Sequence, residues 1–190
     1  MNFKNNTPMV CIAILFCTSM AACKKQNNNT TQTELEKLPP ITQTGANTFG
    51  CLVNGDAYLP NGRKPQNGGP NIVAYVDPTF QGGAFYITGH KYNTPDSYIS
   101  FGSGMFTVRG IYSLSNGFNT SSYKKTNLGS LSCELSSNDN GTYKLGSFNI
   151  TRYDRAGGIF SGTFEFTLFN ANSSCGDTIK ITNGRFDVKL

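Results

Sequence analysis

Histidine occurs once in the 190 residues, at His90, and its scarcity removes much of the usual repertoire of nucleophilic catalysis. A Ser-His-Asp or Cys-His mechanism would have to run through that one ring, set in YITGHKYN at the end of an expected strand beside Tyr92. A G-x-S-x-G elbow, an H-E-x-x-H pair and a phosphate-cradling glycine loop are all missing. Basic residues never run longer than two, so the formal charge of +5 is a mild bias and not a nucleic-acid footprint. Lys124-Lys125 beside Tyr123 reads as a solvated loop. One histidine and scattered cysteines supply no metal-ligand spacing, and neither a metal nor a cofactor is expected. Sustained 3.6-residue apolar periodicity is also absent, which argues against helices in the body of the chain.

The longest apolar run, MVCIAILFCTSMAA from Met9 to Ala22, has 14 residues. As a helix it spans about 21 Å against a hydrocarbon core of roughly 30 Å, too short for a permanent crossing. Preceded by Lys4 and ending in small side chains, residues 1–22 read as a secretory signal peptide. Met20-Ala21-Ala22-Cys23 resembles a bacterial lipobox, with Met20 in place of the usual Leu. Cys23 is then the lipid-attachment residue and the first residue of the mature chain. Acyl chains such as palmitate each contribute about 0.8 kcal/mol per buried CH₂, and two or three of them hold a protein firmly to a bilayer. Residues 23–44 are rich in Asn, Thr and Gln, contain Pro39-Pro40, and are expected to form a polar tether. Lys24 and Lys25 stand where acidic residues would resemble a surface-export signal, which favours the periplasmic face of the outer membrane.

Residues 45–190 suffice for one domain. With Cys23 acylated and Cys11 and Cys17 in the signal, Cys51, Cys133 and Cys175 remain in an oxidising compartment. Cys133 is in phase with Leu131 and Leu135 in LSCELS, the pattern of a buried free thiol, and the expected disulfide joins Cys51 to Cys175.

Period-2 alternation punctuated by Gly, Asn and Ser predicts an all-β domain. Asn54-Gly55 suits a two-residue type I′ turn. NIVAYV and AFYITGH are strands, as are Tyr98 to Phe101 and Phe106 to Leu114, whereas 115–129 reads as a long polar loop. LSCELSS and TYKLGSFNITRY form a hairpin across NDNG, with a bulge at Gly146 where the apolar phase changes. In IFSGTFEFTLF, Phe160, Phe164, Phe166 and Leu168 share a face. Asn183-Gly184 is read as a final turn, pairing Ile181 with Phe186 and Ile179 with Val188 inward, and Lys180 with Asp187 outward. The sum is eight to ten strands in a single antiparallel two-layer β-sandwich, with a closed calycin-like barrel as the alternative.

TFGCLVNGDAYLP, GSFNITRYDRAGGIFSGTFEFTLFN and CGDTIKITNGRFDVKL resemble the opening, middle and closing signatures of an uncharacterised lipoprotein family of Bacteroidetes, a domain of unknown function. The resemblance covers Thr48 to Leu190. It implies a lipobox and recurring cysteines at Cys51 and Cys175, with Cys133 an addition, and it brings no catalytic residues.

Of the carboxylates, Asp77, Asp96, Asp154 and Asp177 sit in turn-like settings, and Glu134 and Glu165 on outward strand faces, so no paired-carboxylate cleft is predicted. SSNDNGTY lacks the last glutamate of a calcium loop and reads as a turn. Asp177-Thr178-Ile179 resembles a short O-glycosylation acceptor. Tyr75, Tyr86, Tyr92, Tyr98, Tyr112, Tyr123 and Tyr153 are more numerous than a core requires and could serve a glycan or envelope-protein contact. The expectation is a non-enzymatic binding or structural module anchored to the outer membrane. A barrel carrying a small apolar ligand in a phenylalanine-lined cavity is the alternative, and an envelope hydrolase the third reading.

Overall fold

The computed structural model describes residues 32–190 except 94, 107–108, 127–131, 174 and 177. The signal peptide, Cys23, Leu131 and Asp177 lie outside the described residues. Among the described residues eleven strands follow one another: β1 (Thr48–Val53), β2 (Asp56–Tyr58), β3 (Ile72–Asp77), β4 (Ala84–Lys91), β5 (Ser97–Ser103), β6 (Gly110–Ser113), β7 (Asn119–Thr126), β8 (Ser132–Ser136), β9 (Tyr143–Asp154), β10 (Ile159–Phe169) and β11 (Thr178–Lys189). They form a six-stranded antiparallel sheet, β2-β1-β11-β10-β9-β6, and a five-stranded one, β3-β4-β5-β7-β8. The two make a β-sandwich, and the closed barrel is excluded because neither sheet closes on itself. The phenylalanines that the barrel alternative placed around a cavity fill the core instead. Phe101 lies 4.4 Å from Phe164 and 4.7 Å from Phe148, and Phe85 lies 5.3 Å from Phe160, centroid to centroid.

Several local readings hold. Asn54 and Gly55 have φ of 51° and 97°, as a type I′ turn requires. Phe160, Phe164, Phe166 and Leu168 are all buried on one face of β10. Other readings are corrected. Asn183-Gly184 is not a turn: β11 runs through it, and residues 182–184 bulge against β1 and β10. A bulge changes the apolar phase by one residue just as a two-residue turn does, so Ile179, Ile181, Phe186 and Val188 do face inward, but on a single strand. Lys180 and Asp187 are consequently not partners.

At Gly146 the β9/β10 register is unbroken, and the shift lies at Thr151. Tyr143 and Leu145 point outward, 60% and 61% exposed, so no change of phase is needed there. Gly146 has φ 127°, and a Cβ would stand 2.3 Å from the Glu165 carbonyl oxygen, so only glycine fits. Residues 119–126, expected within a loop, are the interior strand β7, whose core-facing Asn119 and Ser121 hide it from an apolar pattern. LSCELSS and TYKLGSFNITRY are not a hairpin, because β8 and β9 belong to different sheets.

Residues 32–44, expected within the polar tether, are packed onto the domain instead. Gln32 onward belongs to the compact unit. Glu34 accepts the Ala57 amide at 2.9 Å on the edge strand β2, Leu38 is buried, and Arg185 donates to the Pro39 carbonyl at 3.2 Å. Pro39 lies so close to β1 that a Cβ on Gly50 would stand 2.6 Å from its Cδ.

The disulfide joins Cys133 to Cys175, with Cα atoms 4.6 Å apart, and Cys51 is free and fully buried, which reverses the expected pairing. Cys133 is buried on the edge strand β8, and Cys175 precedes β11 in the other sheet. Cys51 lies on β1, enclosed between β2 and β11. Burial pushes its thiol well above the ordinary range.

Candidate functional site

Among the described residues the carboxylates do not gather into one cleft, and the histidine meets only one of them, Asp96. Asp77 caps its own turn, accepting the Thr79 amide at 2.8 Å and the Tyr75 hydroxyl at 3.0 Å. Asp154 accepts from Arg152 and the Gly157 amide, both at 2.8 Å. Glu165 faces a shallow cleft of about 570 Å³ on the six-stranded sheet, together with Arg185, Asn149, Ile41 and Ile111. Glu134 pairs with Lys124 at 3.2 Å on the other sheet. His90 Nε2 lies 2.9 Å from Asp96 Oδ1, with its ring stacked on Tyr92 at 4.0 Å. No group of three potential metal ligands gathers among the described residues.

The strongest carboxylate environment belongs to Asp187, which the sequence reading placed outward opposite Lys180 and which is instead buried. Asp187 is 1% exposed. It accepts from Ser161 Oγ at 2.6 Å, Thr42 Oγ1 at 2.7 Å, and the Gly45, Thr44 and Ala46 amides at 2.8, 2.9 and 3.2 Å. Burial alone would raise its pKa, but these hydrogen bonds outweigh it and hold the carboxyl well below the usual range. Every partner belongs to the chain itself, so the cluster fastens residues 42–46 and is structural. Only the odd aspartate in the apolar FDV could have signalled it.

The tyrosines divide by strand parity. Tyr112, Tyr123 and Tyr153 join the core, whereas Tyr75, Tyr86 and Tyr98 lie on the outer face of the five-stranded sheet and Tyr92 follows β4. Three rows cross this face perpendicular to the strands. The first holds Tyr75 and Tyr86, directly paired, their rings stacked at 5.6 Å and 23°, 44% and 45% exposed. Gly102, paired with Tyr86, adds no side chain beside them. The second is hydroxylic: Thr88, Ser100, Ser122 and Ser136 lie in register across four strands, and Thr88 donates to Ser100 at 3.0 Å. The third contains His90, Tyr98, Lys124 and Glu134. Tyr98 donates to Glu134 at 3.0 Å, and burial followed by that carboxylate raises its pKa, so it remains a donor.

Successive rows are about 7 Å apart, two residues along a strand. Such a surface offers apolar ring faces at one side and fixed donors and acceptors at the other. It can hold a flat ligand that has C–H faces and many hydroxyls. No family model matches the chain, and comparison with curated proteins and with solved structures finds no similar protein.

Proposed function

We propose that this protein is a lipid-anchored, non-enzymatic binding module of the cell envelope, and that the outer face of its five-stranded sheet holds a glycan. The observation that carries this reading is the exposed, stacked Tyr75–Tyr86 pair beside an in-register row of hydroxyls. Ring faces of this size bury the C–H face of a pyranose, and hydroxyl, imidazole and carboxylate groups one and two rows away satisfy its oxygens. Such a face is open and flat, which suits a chain of sugars better than a small apolar ligand, and the packed phenylalanine core gives no support to the carrier alternative. The sequence Met20-Ala21-Ala22-Cys23, which resembles a lipobox, supports an anchor at Cys23 in the outer membrane, and Lys24 and Lys25 favour its periplasmic side.

The test is titration of the full chain with neutral xylo-, cello- and chito-oligosaccharides, followed by tyrosine fluorescence and backbone amide shifts. Saturable changes centred on β3, β4 and β5 support the proposal. Binding centred elsewhere, or none across the panel, defeats it.

A further inference from the structure

At the end of the sandwich crossed by the disulfide, the core-facing positions of the five-stranded sheet change character. Along β4, β5, β7 and β8, residues 85, 87, 99, 101, 123 and 135 face inward and are apolar. One step nearer the open end, the same inward series reads Lys91, Ser97, Lys125 and Cys133, each in register with the next. Lys125, expected in a solvated loop, thus occupies a core-facing position beyond buried Tyr123, while its neighbour Lys124 points outward to Glu134. The two lysines stand on strands about 10 Å apart, separated only by β5, and their long stems can converge.

Together they line a cleft of about 370 Å³ between the sheets, with Tyr58, Asn93, Ser97 and Tyr123, and a further 270 Å³ adjoins it beside the disulfide. The Lys91 ammonium lies 4.5 Å from the centre of the Tyr58 ring. That ring is fixed in turn, its hydroxyl held 2.8 Å from the Ser97 carbonyl oxygen and 3.1 Å from that of Gly89. Asp56 also lines the cleft, yet neither lysine forms an ion pair with it or with any other carboxylate among the described residues. Desolvation lowers the pKa of Lys91, with Cys51 opposing the shift and the charge of Lys125 adding to it.

Lys91 is half-buried without a carboxylate in contact, and Lys125, though exposed, stands on the same inward row at the rim; departures of this kind from local rules concentrate at functional sites. We propose that the mouth of the sandwich is a second binding site, distinct from the tyrosine face, for a compact oxyanion: a carboxylate or phosphate group on a sugar-sized ligand. The two ammonium groups would donate to its oxygens, and Tyr58 and Tyr123 would flank the body that carries it.

The test titrates the ¹⁵N-labelled full chain separately with inorganic phosphate, glucuronate and glucose. Saturable shifts of the Tyr58, Lys91 and Lys125 amides with phosphate or glucuronate, absent with glucose, are expected, and the two anion arms separate phosphate from carboxylate. Lys125→Gln should weaken binding about tenfold, and Lys91→Gln with Lys125→Gln should abolish it. Equal responses to glucose and glucuronate, anion shifts centred elsewhere, no response to either anion, or unchanged affinity in Lys125→Gln would each overturn the proposal. Lys125 is exposed and its side chain supports nothing in the core, so its variant decides even if loss of the Lys91–Tyr58 contact unfolds the double variant.

Discussion

Thr42 Oγ1 lies 2.7 Å from Asp187 Oδ2, a hydrogen bond between residues 145 positions apart that ties the entering chain to the last strand. Because the folded-state carboxyl titrates below its unfolded value of about 4, its contribution is fully present above that pH and is lost as pH falls toward the folded value. Asp187→Asn leaves several buried donors without an anionic acceptor and should cost about 3 kcal/mol at pH 7. Thermal melts between pH 7 and pH 2 should show the gap between wild type and variant narrowing below about pH 4. A constant gap would mean that Asp187 is not the titrating group.

The Cys133–Cys175 bond closes a loop of sequence separation 42 and staples the edge strand β8 to the segment entering β11. Replacing both cysteines with alanine should cost about 4 kcal/mol if the unfolded chain behaves as a free polymer. Peptide mapping without reduction should recover the 133–175 cross-link, with Cys51 unmodified by alkylating reagents until the protein is denatured. Recovery of Cys51 in a disulfide would overturn the assignment.

Two deletions separate tether from fold. Removing residues 24–31 should leave the melting temperature unchanged, whereas removing 32–44 uncovers Asp187, Gly50 and the β2 edge and should lower it by several degrees. Cys23→Ala should abolish partitioning into the detergent phase, and a variant that still partitions would remove the anchor reading.

On the tyrosine face, Tyr75→Ala and Tyr86→Ala should each weaken oligosaccharide binding about tenfold, while stability changes by only about 0.5 kcal/mol because both rings are exposed. Tyr112→Ala is the contrasting variant. Its ring packs 5.5 Å from Phe85 in the core, so it should lose about 3 kcal/mol of stability without a specific effect on binding.

Most strands were legible because one buried face imposes strict alternation, as in IVAYVD, AFYITGHK and IFSGTFEFTLF. Residues 119–126 were not, since the core there accepts Asn119 and Ser121. The Asn183-Gly184 turn and the Gly146 bulge were misread for a related reason: phase along a strand reports which side a residue faces, and not whether the chain reverses. The tyrosines were visible as a surplus, but their division into core and platform depended on register. The inward row of Lys91 and Lys125 depends on β7, whose alternation Asn119 and Ser121 conceal.

The sequence by itself determined the all-β class and most of the inward apolar set, because alternation and turn chemistry act over a few residues, but it left sandwich and closed barrel as alternatives. Only the tertiary structure decided which sheet each strand joined, which cysteines met, that residues 32–44 fold onto β11, and that two lysines share one mouth. These depend on contacts between residues far apart in the chain, whose formation is governed by packing of the whole sandwich and leaves no mark in any short stretch of it.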